Sequence, residues 1–284
     1  MELSAKWRAE TALFRLFNPV RLFDRLWAQR ELIRETAGQE FRARYQGTQL
    51  GVLWTLLSPL LMLGVYTFVF GVIFKARWNP DVPSNLFEYA LILFTGIVAY
   101  EVFSISLVQA PTLVVRNMVY VKKVVFPLEI LAISSLLASF WGSVLSLLLV
   151  LAGVVIATGT LPWTAVFLPL AYIPLMLFTL GLMWFLAAAG VYLRDIQHLT
   201  TVLVQLYFFG TPILYPITLA PERMRFYLGL NPMHIIVDHF RRFLIFGQTP
   251  DWIALGGVTC FGFLIFMIGY VVFMKSKRWF ADAV

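Results

Sequence analysis

Glu101 is the first side chain in this chain of 284 residues whose surroundings raise a chemical question. It sits midway along an apolar run near 88–110. An ionisable group at such depth is costly, and it marks a proton path, a polar cavity or a contact between helices. A proton path needs a partner group in the membrane, and the apolar runs offer none. Cavity lining or interhelical bonding is therefore the reading for Glu101. His234 and His239 are five positions apart, which puts them on different faces of a helix and argues against a shared metal ion. They read as surface or capping histidines. There is no Gly-Lys-Ser/Thr phosphate loop and no Gly-x-Ser-x-Gly elbow. Neither catalytic residues, a metal site nor a cofactor is expected in the chain itself.

Aromatic residues make up 16% of the chain. Tyr66, Phe68 and Phe70 cluster in one apolar run, and Tyr207, Phe208 and Phe209 in another. Singly, such rings face lipid or the membrane interface. If both runs faced one pore, their faces would suit the C–H surfaces of sugars.

The elements that would position these residues are six apolar runs, at about 51–74, 88–110, 128–158, 163–191, 197–214 and 252–273. A bilayer-spanning helix needs roughly 20 apolar residues. Hydrophobic residues are 60% of the chain, charged residues 13% and mean hydropathy is +0.82. The expected fold is an all-α polytopic membrane protein with six transmembrane helices. Residues 1–50 form an N-terminal cytoplasmic region and 51–284 the six-span domain. The charged N-terminus lacks the compact apolar core of a cleavable signal peptide. Cys260, inside the last run, has no internal disulfide partner and reads as a buried, inert thiol.

The net charge of +7 would point to nucleic acid in a soluble protein. Here the placement of charge decides. Sixteen of the 22 Lys and Arg fall on one side of a six-span topology that starts inside, and six on the other. The positive-inside rule puts both termini in the cytoplasm, and nucleic acid is not an expected partner. Residues 13–34 read as an amphipathic helix, with Leu13, Leu16, Val20, Phe23 and Trp27 on one face and Arg15, Arg21, Arg25 and Arg30 on the other. Such a helix serves as a membrane anchor or as a lever. Residues 111–127, with Arg116, Asn117, Lys122 and Lys123, fit a brief helix at the cytoplasmic surface. Pro212 and Pro216 break the fifth run at the outer surface. Residues 217–250 read as two short helices split at Asn231-Pro232, a re-entrant hairpin in the outer leaflet.

Several of these segments resemble one family. Tyr45-Gln-Gly-Thr-Gln-Leu-Gly51-Val-Leu-Trp54-Thr-Leu-Leu-Ser-Pro59 is similar to the first-span entry of ABC-2 type exporter permeases. The nearest branch is the one that exports O-antigen, capsular polysaccharide and teichoic acid. Asn117…Lys122-Lys123-Val-Val-Phe126-Pro127, Tyr192-Leu-Arg194-Asp195, Thr211-Pro212-Ile213-Leu-Tyr215 and Asn231-Pro232 follow in the family's order.

The resemblance implies a homodimer bound to two copies of a cytoplasmic ATPase, which holds the ATP and Mg. The substrate would be a lipid-linked polysaccharide, most simply O-antigen, crossing the inner membrane. Capsular polysaccharide and teichoic acid are the alternatives within the branch. Arg116, Asn117, Met118, Lys122 and Lys123 would belong to a coupling helix, and Arg21, Arg25, Trp27 and Arg30 to an interface helix beside it. Tyr66, Phe70, Tyr207, Phe208 and Tyr215 of spans one and five, with Glu101, would line the channel. Two rival classes fit less well. A membrane enzyme acting on lipid-linked sugars would cluster acids or histidines at one face. An ion-driven transporter would show paired intramembrane charges and internal repeats.

Overall fold

The structure is a computed structural model that describes residues 19–44, 46–75, 78, 85–118 and 126–280, with side chains from Leu22 onward. Lys122, Lys123, the Arg21 side chain and the expected helix start at 13–18 lie outside the described residues. Every regular element among the described residues is helical.

Two helices stand where one amphipathic helix over 13–34 is expected. They are α1 (Pro19–Ala28) and α2 (Arg30–Ala43). The chain bends at Gln29, whose amide still bonds back to the Arg25 carbonyl at 3.2 Å. α2 runs nine residues beyond the expected end because a later helix captures it. Ser134 donates to the Ile33 carbonyl at 3.3 Å, and the Phe41 ring meets Trp141 edge-on at 6.4 Å. Phe23 and Trp27 share an exposed face and stack at 6.2 Å, while Leu22, Ile33 and Ala37 are buried.

The first long helix opens with a tight turn at Gly51–Leu53, continues as α3 (Trp54–Tyr66) and widens into a π-helical segment, Thr67–Ile73. α4 (Leu86–Gln109) follows, then the short α5 (Leu113–Arg116). α6 (Glu129–Thr158), α7 (Leu168–Tyr192) and α8 (Ile196–Phe209) come next. α9 (Glu222–Gly229) and α10 (Pro232–Leu244) meet at the Asn231-Pro232 break, and α11 (Trp252–Ser276) ends the bundle. Among the described residues, five stretches are long and apolar enough to cross a membrane: Gly51–Ile73, Leu86–Arg116, Glu129–Thr158, Trp163–Tyr192 and Trp252–Trp279. The sixth expected run, 197–214, is helical only as far as Phe209. Its 14 residues make about 21 Å of helix against ~30 Å of hydrocarbon.

Local chemistry sets the helix ends. Asn85 accepts the Phe87 amide at 3.2 Å, and Asp251 accepts the Ala254 amide at 3.1 Å. These side chains satisfy donors that a helix start leaves open. The amide of Ala254 also holds the Asp251 carboxyl below its ordinary range. Gly159 closes α6 at φ 77°, a conformation that only glycine adopts without strain.

α4 and α7 lie at the centre of the bundle. α7 packs along α11 through two glycines. A Cβ on Gly181 would fall 2.5 Å from the Ile265 carbonyl, and one on Gly269 would strike the Gly181 carbonyl. Small residues let membrane helices approach backbone to backbone. Trp184 fills the space beside them, between Phe266 at 5.1 Å and Tyr270 at 5.2 Å, and donates to the Glu129 carbonyl. The most apolar stretch of Gly51–Ile73 is only 6% buried, against 78% for Leu86–Arg116, so the first long helix lies on the outside of the bundle.

Two sequence readings are corrected. Cys260 is exposed on the outer face of α11, because that helix buries only the side facing α7. His239 is buried, not at the surface. Its ring lies between the carbonyls of Ile235, 2.8 Å from Nδ1, and Asp251, 3.3 Å from Nε2.

Candidate transport site and coupling surface

One end of the bundle gathers α2, α5, the start of α6 and the end of α11, and it is called here the terminal end. Arg116 at the end of α5 pairs with Glu40 of α2. Asn117 donates to the Leu113 carbonyl at 2.8 Å and closes α5, and Met118 beyond it is exposed. Arg44 donates to the Gln109 side chain at 3.2 Å and to the Ser135 carbonyl at 3.0 Å. Lys277 meets Glu129 at 2.6 Å, which ties the end of α11 to the first turn of α6. The described part of the 111–127 segment thus lies against α2 at Glu40, six residues past the expected end of the N-terminal helix. Arg25, on α1, reaches Tyr270 of α11, and Arg30 lies over the Trp27 ring at 5.7 Å.

The opposite, hairpin end is built on α10. Its apolar residues Met233, Ile236, Val237, Phe240, Phe243 and Leu244 repeat at three- and four-residue steps and are all buried. Arg241 lies on the same side and is buried with them. Its Nε donates to the Ile92 carbonyl at 3.1 Å, Nη1 to Pro212 at 2.9 Å and Nη2 to Ile213 at 2.6 Å. The guanidinium also stacks over the Trp78 ring at 4.2 Å. Pro212 and Ile213 lie in irregular backbone past the end of α8, where no helix supplies donors for their carbonyls, and the planar fork of arginine does so. Gly96 makes room, since a Cβ there would sit 2.6 Å from Nη2. Burial lowers the guanidinium's pKa, with Asp238 and Tyr89 opposing it. Its ordinary value is so high that it stays charged. Burial also holds His234 below the usual histidine range.

Asn231 organises the break between α9 and α10. Its Oδ1 accepts the Met233 amide at 2.9 Å and the Tyr207 hydroxyl at 2.5 Å, and its amide donates to Thr211 Oγ1 at 3.1 Å. One side chain therefore caps a helix and fastens it to α8.

Between α3, α4 and α8 lies a cavity of about 640 Å³. Tyr66, Glu101 and Phe208 line it, as do Ser58, Tyr100, Ser104 and Gln205. Tyr66 stacks on Phe208 at 5.8 Å, and Tyr100 meets Phe208 edge-on at 5.1 Å. The other three aromatic residues expected along a channel lie elsewhere. Tyr207 faces an apolar cavity on the far side of α8, together with Phe103, Phe178 and Phe261. Tyr215 donates back to the Phe209 carbonyl at 3.1 Å, and Phe70 packs beside Phe74 at 5.8 Å. Sequence reasoning passed over Tyr100, Ser58, Ser104 and Gln205. Glu101 and Ser104 are three apart on one helix face, which was the available signal. It also counted Arg241 as an exterior charge, although Arg241 follows Val237 by four on the apolar face of α10. Among the described residues no group of His, Cys, Asp and Glu is placed to hold a metal ion.

Comparison with known proteins gives this geometry a context. The O-antigen export system permease protein RfbA of Myxococcus xanthus is 30% identical over 268 residues, 93% of this chain and 100% of that protein. A protein of the same name from Klebsiella pneumoniae is 24% identical over 89% of this chain and 94% of its own length. The polysialic acid transport protein KpsM of Escherichia coli is 23% identical over 84% of this chain and 91% of its own length. The family model for the ABC-2 type transporter matches residues 31–245, from α2 to just past the end of α10. With a match of that extent, the chain belongs to the ABC-2 type transporter family.

Proposed function

We propose that this chain is the membrane-spanning permease of an ATP-driven exporter that carries a lipid-linked polysaccharide, an O-antigen, across the inner membrane. The observation that carries this reading is the end-to-end similarity to a relative named as an O-antigen export permease, at 30% identity over 93% of the chain. The similarity to KpsM, named for polysialic acid transport, is lower at 23%, which ranks a capsular glycan second.

The chain performs no bond chemistry in this reading. Two copies pair, and each binds a separate cytoplasmic ATPase that holds ATP and Mg. The terminal end faces the cytoplasm, as the charge distribution favours. α8 makes the sixth crossing, extended by irregular backbone from Gly210 to Leu214, which reaches Tyr89 near the start of α4. The pair α9–α10 forms a re-entrant hairpin on the outer side, where non-helical backbone is tolerated because protein covers it. Residues 1–50 form the cytoplasmic region and 51–284 the six-span domain. The segment from α5 through Lys122 and Lys123 couples to the ATPase, and α1 and α2 form the interface beside it. The Glu40–Arg116 pair supports that pairing of elements. Glycan passes the face of α3 and α8, along Tyr66, Glu101 and Phe208. To move a two-state permease from 1:99 to 99:1, ATP binding must favour one state by about 5.5 kcal/mol.

Deletion of the gene in its host tests the reading. Cells without the chain should keep making lipid-linked polysaccharide, hold it inside and lose it from the surface, and re-expression should restore display. Normal surface glycan in the deletion strain would rule the reading out.

A further inference from the structure

The geometry points to the cavity between α3, α4 and α8 as a binding site for uncharged sugar units, with Glu101 as the acceptor that reads their hydroxyls. This rests on the exporter reading above and specifies the chemistry of its substrate.

Three observations carry it. First, the Glu101 carboxylate has no hydrogen-bond or ion-pair partner among the described residues, although it lies in the wall of the cavity. A carboxyl group kept in a membrane helix without a partner in the fold is costly. It does not hold two helices together, because no bond runs from it to a second helix. A proton relay is also unsupported, because Glu101 is the only Asp, Glu, Lys, Arg or His in the cavity lining among the described residues.

Second, the wall also carries the hydroxyls of Ser58 and Ser104, the amide of Gln205 and the phenols of Tyr66 and Tyr100, the last of which donates to the Val204 carbonyl. Each can both donate and accept, as a sugar hydroxyl can. A carboxyl group accepts at both of its oxygens, and when protonated it also keeps one O–H donor. That suits neighbouring hydroxyls on one ring. Tyr66, Tyr100 and Phe208 supply apolar ring surface for the C–H face of the same unit. A mainly apolar wall with a few convergent polar groups is the usual form of a small-molecule site.

Third, the lining residues include no Lys, Arg or His among the described residues. An acidic sugar would bring a carboxylate into a wall that offers no cation. A charge buried without a partner is costly. The site therefore favours neutral units and opposes a polyanion.

The test uses the full complex, this chain with its ATPase, in tester cells that make either undecaprenyl-linked mannan or lipid-linked polysialic acid. Wild type should display mannan and export polysialic acid at least tenfold more slowly, the discrimination that one uncompensated charge contact supplies. Glu101→Leu should lower mannan export about tenfold, with Glu101→Gln between the two. Removal of a charge from a membrane helix eases its insertion, so permease abundance should hold or rise in both variants. Lower export at undiminished abundance separates binding from folding. In a Cys260→Ser background, a thiol at Glu101→Cys should react several-fold more slowly with a permeant maleimide when mannan synthesis is on. Undiminished mannan export by Glu101→Leu, no protection of the thiol, or equal export of both glycans by wild type would overturn this assignment and leave the exporter reading standing. Export of neither glycan by wild type would overturn both.

Discussion

The two ends of the bundle are fastened by different chemistry. At the terminal end, side-chain charges meet: Glu40 with Arg116, and Glu129 with Lys277. At the hairpin end, buried donors meet main-chain carbonyls: Arg241 on Ile92, Pro212 and Ile213, and Tyr89 on Leu214. The Glu40–Arg116 pair is partly exposed and cheap to break, at about 0–1 kcal/mol. A buried carbonyl left without its donor costs about 1–3 kcal/mol. The contact between α2 and α5 can therefore open at small cost, while the hairpin end is fastened to the start of α4 and the end of α8 as one piece.

The largest effect is expected at Arg241. Arg241→Met leaves the buried carbonyls of Pro212 and Ile213 without their arginine donor, takes a second bond from the helical Ile92 carbonyl and removes the stack on Trp78. It should cost at least ~3 kcal/mol and empty the membrane of folded protein. Arg241→Lys should recover part of the loss, because an ammonium cannot span all three carbonyls at once. Abundance and thermal melting of the purified variants measure this. A melting curve like that of wild type for Arg241→Met would erase the contrast between the two ends.

Asn231 comes next. Asn231→Ala removes a helix cap, worth about 0.5–2 kcal/mol, and the bonds to Tyr207 and Thr211. Asn231→Asp keeps the cap and the Tyr207 contact but loses the amide donor to Thr211. The expected order of melting temperature is wild type, Asn231→Asp, Asn231→Ala. If both variants lost the same stability, the cap would contribute nothing.

The smallest change in stability belongs to the terminal end. Glu40→Arg or Arg116→Glu should shift stability by less than ~1 kcal/mol and, if the proposed coupling role holds, still reduce export, because two like charges then face each other between α2 and α5. The double exchange, Glu40→Arg with Arg116→Glu, should restore export. Low export in the double exchange, with normal abundance, would mean that the pair does not link these elements.

The long helices were legible because lipid is a uniform solvent. Any run that crosses it must be apolar, and the bounds of α4, α6, α7 and α11 fall within a few residues of the runs, or five at the start of α7. What hydropathy could not convey is where partners stand. Arg241 and Glu101 are both charged residues next to apolar neighbours, yet one is bound on three sides and the other faces a cavity. Residue type gives the cost of burial, and only the fold says what offsets it. The same gap explains α2, whose reach to Ala43 depends on Trp141 and Ser134, a hundred residues away in sequence. It also explains His239, whose two carbonyl neighbours come from its own helix and from the cap of the next. The cavity was half visible: Tyr66, Glu101 and Phe208 were named, whereas the turn of α8 that directs Tyr207 away from it leaves no pattern in the sequence.

The glycine contact between α7 and α11 sets a timetable for biosynthesis. Gly181 and Gly269 are about ninety residues apart, so at roughly 5–20 residues per second the ribosome needs roughly 5–20 s to make the second after the first. Throughout that interval the groove on α7 is lined by backbone and has no mate. The hairpin must leave the ribosome before the mate does, since α9 and α10 lie between them. Closure of α7 on α11 therefore waits until the hairpin and most of α11 have been made. A chain truncated before Gly269 would keep the glycine groove of α7 open.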